Sequence, residues 1–189
     1  MPDRIFLSLW LRGFEPHNAL SHFERMLRAF PFSRLRPGIA ALKVYALEYV
    51  EPPVLEHAFS DAPEVEAVTA LCREFDNPDC AYTVEGWWEL FQYNNGWRLT
   101  PSRVSLTCFG PLFENDDDDH LRIDFGPETY YLPNPRLPDS ARAVHSNLKS
   151  VLRVASDLEE SLPISRKNLW SESGEDLAER LESALDAQL

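Results

Sequence analysis

The sequence predicts an α+β fold: a mainly antiparallel sheet of about five strands with helices on one face, in two layers. Three observations predict it. Apolar residues alternate with a period of two in several short runs. In other runs they recur at steps of three and four, as one face of a helix does. Asn94-Asn95-Gly96 lies between two long stretches rich in aromatic and β-branched residues, the signature of a hairpin. With 189 residues, 44% of them hydrophobic and 26% charged, the chain has enough apolar material for one core.

From residue 5, Ile5, Leu7, Leu9 and Leu11 alternate with Phe6, Ser8, Trp10 and Arg12, and bulk on both sides predicts a central strand. Pro16 suits a helix start, the stripe Leu20, Phe23, Met26, Leu27 and Phe30 continues it, and Pro31 ends it. A second strand is predicted over 41–50, closed by Glu51-Pro52-Pro53 and followed by a short loop. These first two strands could be parallel neighbours joined by a helical crossover. Asp61 and Glu64 have the spacing of a capping box ahead of Val65, Val68, Leu71, Cys72 and Phe75, which predicts a helix over about 62–75.

The hairpin follows, Ala81–Tyr93 against Trp97–Phe109, with Pro101 implying a bulge or an edge. Beyond the acidic loop 114–119, Leu121, Ile123 and Phe125 mark another strand. Prolines at 127, 133, 135 and 138 predict a stiff, extended segment. From Asp139 the stripe Ala141, Val144, Leu148, Val151, Leu152, Ala155, Leu158 and Leu162 predicts a helix of about six turns, stopped by Pro163. Ser173 and Asp176 can start a last helix with Leu177, Leu181, Ala184 and Leu185 on one face. The domain is therefore expected over 1–162. Residues 163–189 form an extension with a short helix that packs on the domain or pairs with a second copy as a homodimer.

Eighteen Lys and Arg oppose thirty-one Asp and Glu, a net charge of −13. Such a surface repels phosphate and anionic lipid, which argues against nucleic acid and membrane partners and favours a basic protein. Met1 to Leu11 is too short a run for a signal peptide or a span, so a cytoplasmic protein is expected. Cys72, Cys80 and Cys108 form no CxxC pair and are expected to be reduced, with Cys108 filling a small core position. The five histidines fall in no metal-binding motif, and no phosphate-binding glycine loop or nucleophile elbow occurs, so neither a metal nor another cofactor is expected.

The densest candidate site is aromatic. Trp87, Trp88, Phe91 and Trp97 could line a pocket between sheet and long helix for a small aromatic or sugar-like ligand, with Glu85, Glu89 and Arg98 as polar groups. By alternation Trp87 and Phe91 share one face with Glu85 and Glu89, and Trp88 lies on the other, so at least one tryptophan is structural. Two carboxylates beside rings also fit glycosidase chemistry, although a solvated sheet face explains them more simply. The run Glu114 to Asp119 lacks the ligand spacing of a calcium loop and reads as a self-repelling, solvated turn. Arg25, Arg28, Arg34, Arg36 and Lys43 are expected to pair with the chain's own carboxylates. The leading expectation is a non-catalytic binding or interaction protein with an acidic surface. A small-molecule-binding protein or enzyme with the aromatic pocket is the alternative.

Overall fold

The computed structural model describes residues 3–172 together with 177, 180 and 181. Seven strands form one antiparallel sheet: β1 (Arg4–Leu11), β2 (Ile39–Ala46), β3 (Leu55–Ala58), β4 (Cys80–Tyr93), β5 (Trp97–Phe109), β6 (Leu121–Pro127) and β7 (Ile164–Ser171). Among the described residues the helices α1 (Ala19–Ala29), α2 (Val65–Arg73) and α3 (Ser140–Ser161) cover one face. The strand order is β3-β2-β4-β5-β6-β1-β7. The expected α+β class and two-layer plan hold, with β3 and β7 added at the two edges. A parallel β1–β2 pair is not formed, because β4, β5 and β6 lie between them.

Alternation explains the layers. Ile5, Leu7 and Leu9 of β1, Tyr82, Val84, Trp88 and Leu90 of β4, and Leu121, Ile123 and Phe125 of β6 point into one core, where they meet Phe23, Met26, Val68, Val144, Leu148, Val151 and Leu158 from the helices. A smaller cluster on the opposite face joins Ala81, Phe109, Phe113 and Tyr45. The β4–β5 hairpin closes as expected, with Asn95 at φ 52 and Gly96 at φ 134, conformations that Asn and Gly tolerate. Pro101 pairs with Glu89 without a bulge. It is accommodated because β6 pairs with β5 only from Ser105 onward, so Pro101 lies on an edge.

β4 outruns β2, and other groups seal its exposed edge. Ser33 N–H donates to the Trp87 carbonyl and Trp87 N–H to the Gly38 carbonyl, each at 2.7 Å. A Cβ on Gly86 would come within 2.5 Å of the Gly38 oxygen, so glycine lets this loop approach. Further along, the Asn147 side chain of α3 takes the place of a strand: Oδ1 accepts from Phe91 N–H at 2.8 Å, while Nδ2 donates to the carbonyls of Phe91 (3.0 Å) and Tyr130 (2.8 Å).

The second strand ends at Ala46 rather than 50, because Leu47 turns the chain at φ 68. The capping box at Asp61 and Glu64 does not form. Glu64 occupies the cap position of α2 without a side-chain hydrogen bond. Residues 164–171 are an integral strand along β1. Leu177 and Leu181 are helical and buried in the main core, and Arg180 pairs with Glu128 at 3.0 Å. The other residues of the last predicted helix, Ser173, Asp176, Ala184 and Leu185 among them, lie outside the described residues. Among the described residues no helix is long and apolar enough to cross a membrane.

Candidate functional site

The residues predicted to share a pocket are dispersed. Trp88 is 1% exposed and packs beneath the helices against Phe30 and Phe125, so it cannot line a surface site. Trp87, on the opposite side of β4, is held between two guanidinium groups, Arg36 at 4.4 Å and Arg103 at 5.1 Å from its ring centre. Glu85 accepts from Lys43 Nζ at 2.8 Å and faces Arg103 at 3.9 Å. Glu89 Oε1 receives Ser33 Oγ (2.9 Å) and the amides of Arg34 (2.8 Å) and Leu35 (3.2 Å), bonds that lower its pKa, the Arg34 amide foremost. Both carboxylates are thus engaged in structure, one in an ion pair and the other in holding a loop. Arg98 is exposed opposite Gln92 at the end of the hairpin.

Two of the set do meet. Phe91 and Trp97 line a cavity of about 320 Å³ where the hairpin meets the start of α3, and its polar groups are Asp139, Arg142 and Ser146 rather than Glu85, Glu89 and Arg98. Trp97 is fixed there by its Nε1, which donates to the Pro138 carbonyl at 2.6 Å.

The helix-free face of the sheet presents a second, more polarised region. Its centre is Arg122 of β6. The guanidinium donates to Asp119 through Nε (2.8 Å) and Nη2 (2.6 Å), to Asp117 (2.7 Å) and to the Asn115 side chain (3.0 Å). It also lies 5.1 Å from the Phe109 ring centre and 5.6 Å from that of Trp170. Asp119 is 1% exposed, so the acidic segment is not the fully solvated, self-repelling turn its composition implies. Arg122 gathers part of it onto the sheet, as a buried carboxylate requires.

Tyr49 lies over this face from the loop after β2, with Tyr45, Phe113 and Phe109 at ring distances of 4.8, 5.1 and 6.1 Å. Although 45% of the residue is exposed, its hydroxyl is sunk beside Thr83 and Thr107. Burial of that end raises its pKa, against the opposing pull of the two threonines and Arg122. Two cavities open on either side. One, of about 230 Å³, runs over the strands between Phe6, Thr83, Thr107 and Asp124. The other, of about 360 Å³, is walled by Tyr49, Trp170, Arg122 and the carboxylates of Glu48, Glu114, Asp116 and Asp117.

Sequence reasoning passed over Tyr49, Arg122 and Trp170. The signal for Arg122 was present: it alternates with Leu121 and Ile123, which places it across the sheet from the core and next to the acidic run. Trp170 carried none, since β7 itself was not read as a strand.

The remaining chemistry is quiet. All three cysteines are buried and free. Burial pushes the Cys72 thiol up to about 12, and the Cys108 thiol, against the Ala19 carbonyl at 3.7 Å, is also raised, which removes thiolate character. Of the basic segment, Arg28 pairs with Glu24 and Glu66, and Lys43 with Glu56 and Glu85. No group of three or more potential metal ligands occurs among the described residues. No described protein family, no curated protein and no solved structure matches this chain.

Proposed function

We propose that the protein is a non-catalytic binding protein whose acidic surface receives a basic protein partner on the helix-free face of the sheet. The observation that carries this reading is the charge imbalance around Arg122. That cation is already taken by Asp117 and Asp119, and Glu48, Glu114 and Asp116 stand beside it in one cavity wall. A partner's cations would relieve the mutual repulsion of these carboxylates, and the overall charge of −13 would draw such a partner in. The reading belongs to a cytoplasmic protein, where reduced, buried thiols are ordinary.

The test is association of the full chain with lysine- and arginine-rich peptides and with an acidic control peptide, at low and at physiological salt. Binding of the basic peptides alone, with association slowed roughly tenfold by salt, supports the reading. Equal binding of the acidic control removes it. A second copy of the chain is the competing occupant of that face, and sedimentation of the protein alone reads it directly.

A second reading, a binding site for a small aromatic or sugar-like ligand, is favoured by the cavity between Phe91, Trp97 and Arg142. A thermal-shift screen tests it, because a ligand at a hundred times its dissociation constant adds about 2.7 kcal/mol of stability. Melting temperatures unchanged across sugars, nucleotides and aromatic acids would exclude it.

A further inference from the structure

The most uneven part of the surface lies where two loops meet beside the helix-free face. These are the turn over 47–54 and the segment over 110–119, tied together by Glu114 N–H donating to the Leu47 carbonyl at 2.8 Å. Their charge is one-sided. Their apolar exposure is a separate fact: five of the nine large apolar side chains exposed among the described residues come from these loops, namely Leu47, Tyr49, Val50, Val54 and Leu112. Val50 is 84% exposed and Leu112 71%. Scattered apolar exposure needs no explanation, but here five such side chains fall on two joined loops, and two of them, Tyr49 and Val50, line a cavity, which marks an interaction surface.

The cavity between these loops and β7 has a volume of about 360 Å³, enough for one long side chain, with Tyr49 and Trp170 in its walls, the Trp170 ring backed by Phe6 at 4.5 Å. Flat aromatic surface together with several carboxylates suits a guanidinium, which stacks and hydrogen-bonds in its own plane at once, better than an ammonium. The chain displays that combination beside the cavity. Arg122 lies near the rings of Phe109 and Trp170 while Asp119 takes it with both oxygens.

We infer that this cavity receives an arginine side chain of a basic partner segment, with apolar residues of the same segment covering Leu47, Val50 and Leu112. The inference rests on the proposed binding of a basic protein and names the part of the surface that recognises it. Glu48, Glu114 and Asp116 supply the counter-charge, Tyr49 and Trp170 the stacking surface, and Arg122 with Asp119 the rigid floor.

The experiment is fluorescence anisotropy with three labelled peptides of alternating leucine with arginine, lysine or citrulline, against the full chain. The same peptides are titrated against the triple variant Glu48→Gln, Glu114→Gln, Asp116→Asn, whose exposed or half-exposed positions leave the core untouched. The arginine peptide should bind roughly tenfold tighter than the citrulline peptide and measurably tighter than the lysine peptide. The triple variant should lose about tenfold for the arginine peptide while melting no lower than the parent. Equal affinity of the parent and the triple variant for the arginine peptide would overturn the inference and leave the wider reading standing. Lysine and arginine peptides binding alike, both weakened by the variant, would overturn the guanidinium assignment. Binding of none of the cationic peptides at low salt would remove the inference and the basic-partner reading together.

Discussion

Trp87 and Trp88 are neighbours in sequence and opposites in environment. Trp88 faces the helices, is 1% exposed, and leaves its Nε1 without a hydrogen-bond partner among Phe30, Phe125 and the rest of the main core. Trp87 faces away from them and is held between Arg36 and Arg103. The first contributes area removed from water, enough to offset an unpaired donor. The second contributes a cation-binding surface at the edge of a wet face. A pleated strand thus assigns two identical side chains to different physics, and the same division separates the two faces of the whole sheet.

Substitutions test that division. Trp88→Ala should destabilise by about 3–5 kcal/mol in denaturant titration, through a cavity between β4 and the helices. Trp88→Phe should cost less, because it also removes the orphaned N–H. A Trp88→Ala variant as stable as the parent would show that the helix layer is not packed on this strand. Asn147→Ala comes next, at about 2–3 kcal/mol, because it strands the amide and carbonyl of Phe91 and the carbonyl of Tyr130. Hydrogen exchange should then speed at Phe91 before the rest of β4. Trp87→Leu should cost only about 1 kcal/mol and leave the core untouched.

Acid probes the packing around Phe14, where His22 and His120 meet, without mutation. Burial lowers the pKa of His22, reinforced by Arg25, and burial lowers that of His120, where Asp119 opposes and His22 adds. His120 Nδ1 accepts from Leu11 N–H at 2.9 Å, and its ring stacks on Phe14 at 4.2 Å, so the neutral form is the one that fits. With folded values below the ordinary 6.5, the unfolded chain takes up protons first as pH falls. The stabilisation is complete above pH 6.5 and is lost as pH falls through the folded values. Melting temperatures from pH 8 to 5 should decline accordingly, and His120→Asn, which keeps an acceptor for Leu11, should flatten part of that decline.

Elements with a strong period were legible before the structure. β1, the β4–β5 hairpin, β6 and α3 each present one unbroken apolar side, and the fold class follows from them. β3 and β7 were not legible, for a shared reason. Both are edge strands whose residues are mostly exposed, as in Glu56-His57-Ala58 and Ser165-Arg166-Lys167-Asn168, so neither face has to be apolar. Their pairing is decided by backbone hydrogen bonds to β2 and β1, which leave little trace in composition. The candidate site was half legible for a related reason. Phe91 and Trp97 do share a cavity beside the long helix, whereas the Arg122 region is assembled from three stretches distant along the chain, 48–50, 114–122 and 170. Alternation brings Arg122 next to Asp117, but no local pattern reports that Glu48 and Trp170 will join them in one wall.

The position of β1 has a consequence for how the molecule is made. This strand sits between β6 and β7, so neither of its neighbours exists until Leu121 and then Ile164 have left the ribosome. At about 5–20 residues per second, Ile5, Leu7 and Leu9 wait on the order of ten seconds as an unpaired, apolar strand in the nascent chain. Folding is therefore gated by synthesis of the later half. Until then the chain's earliest strand has no hydrogen-bonded neighbour on either edge.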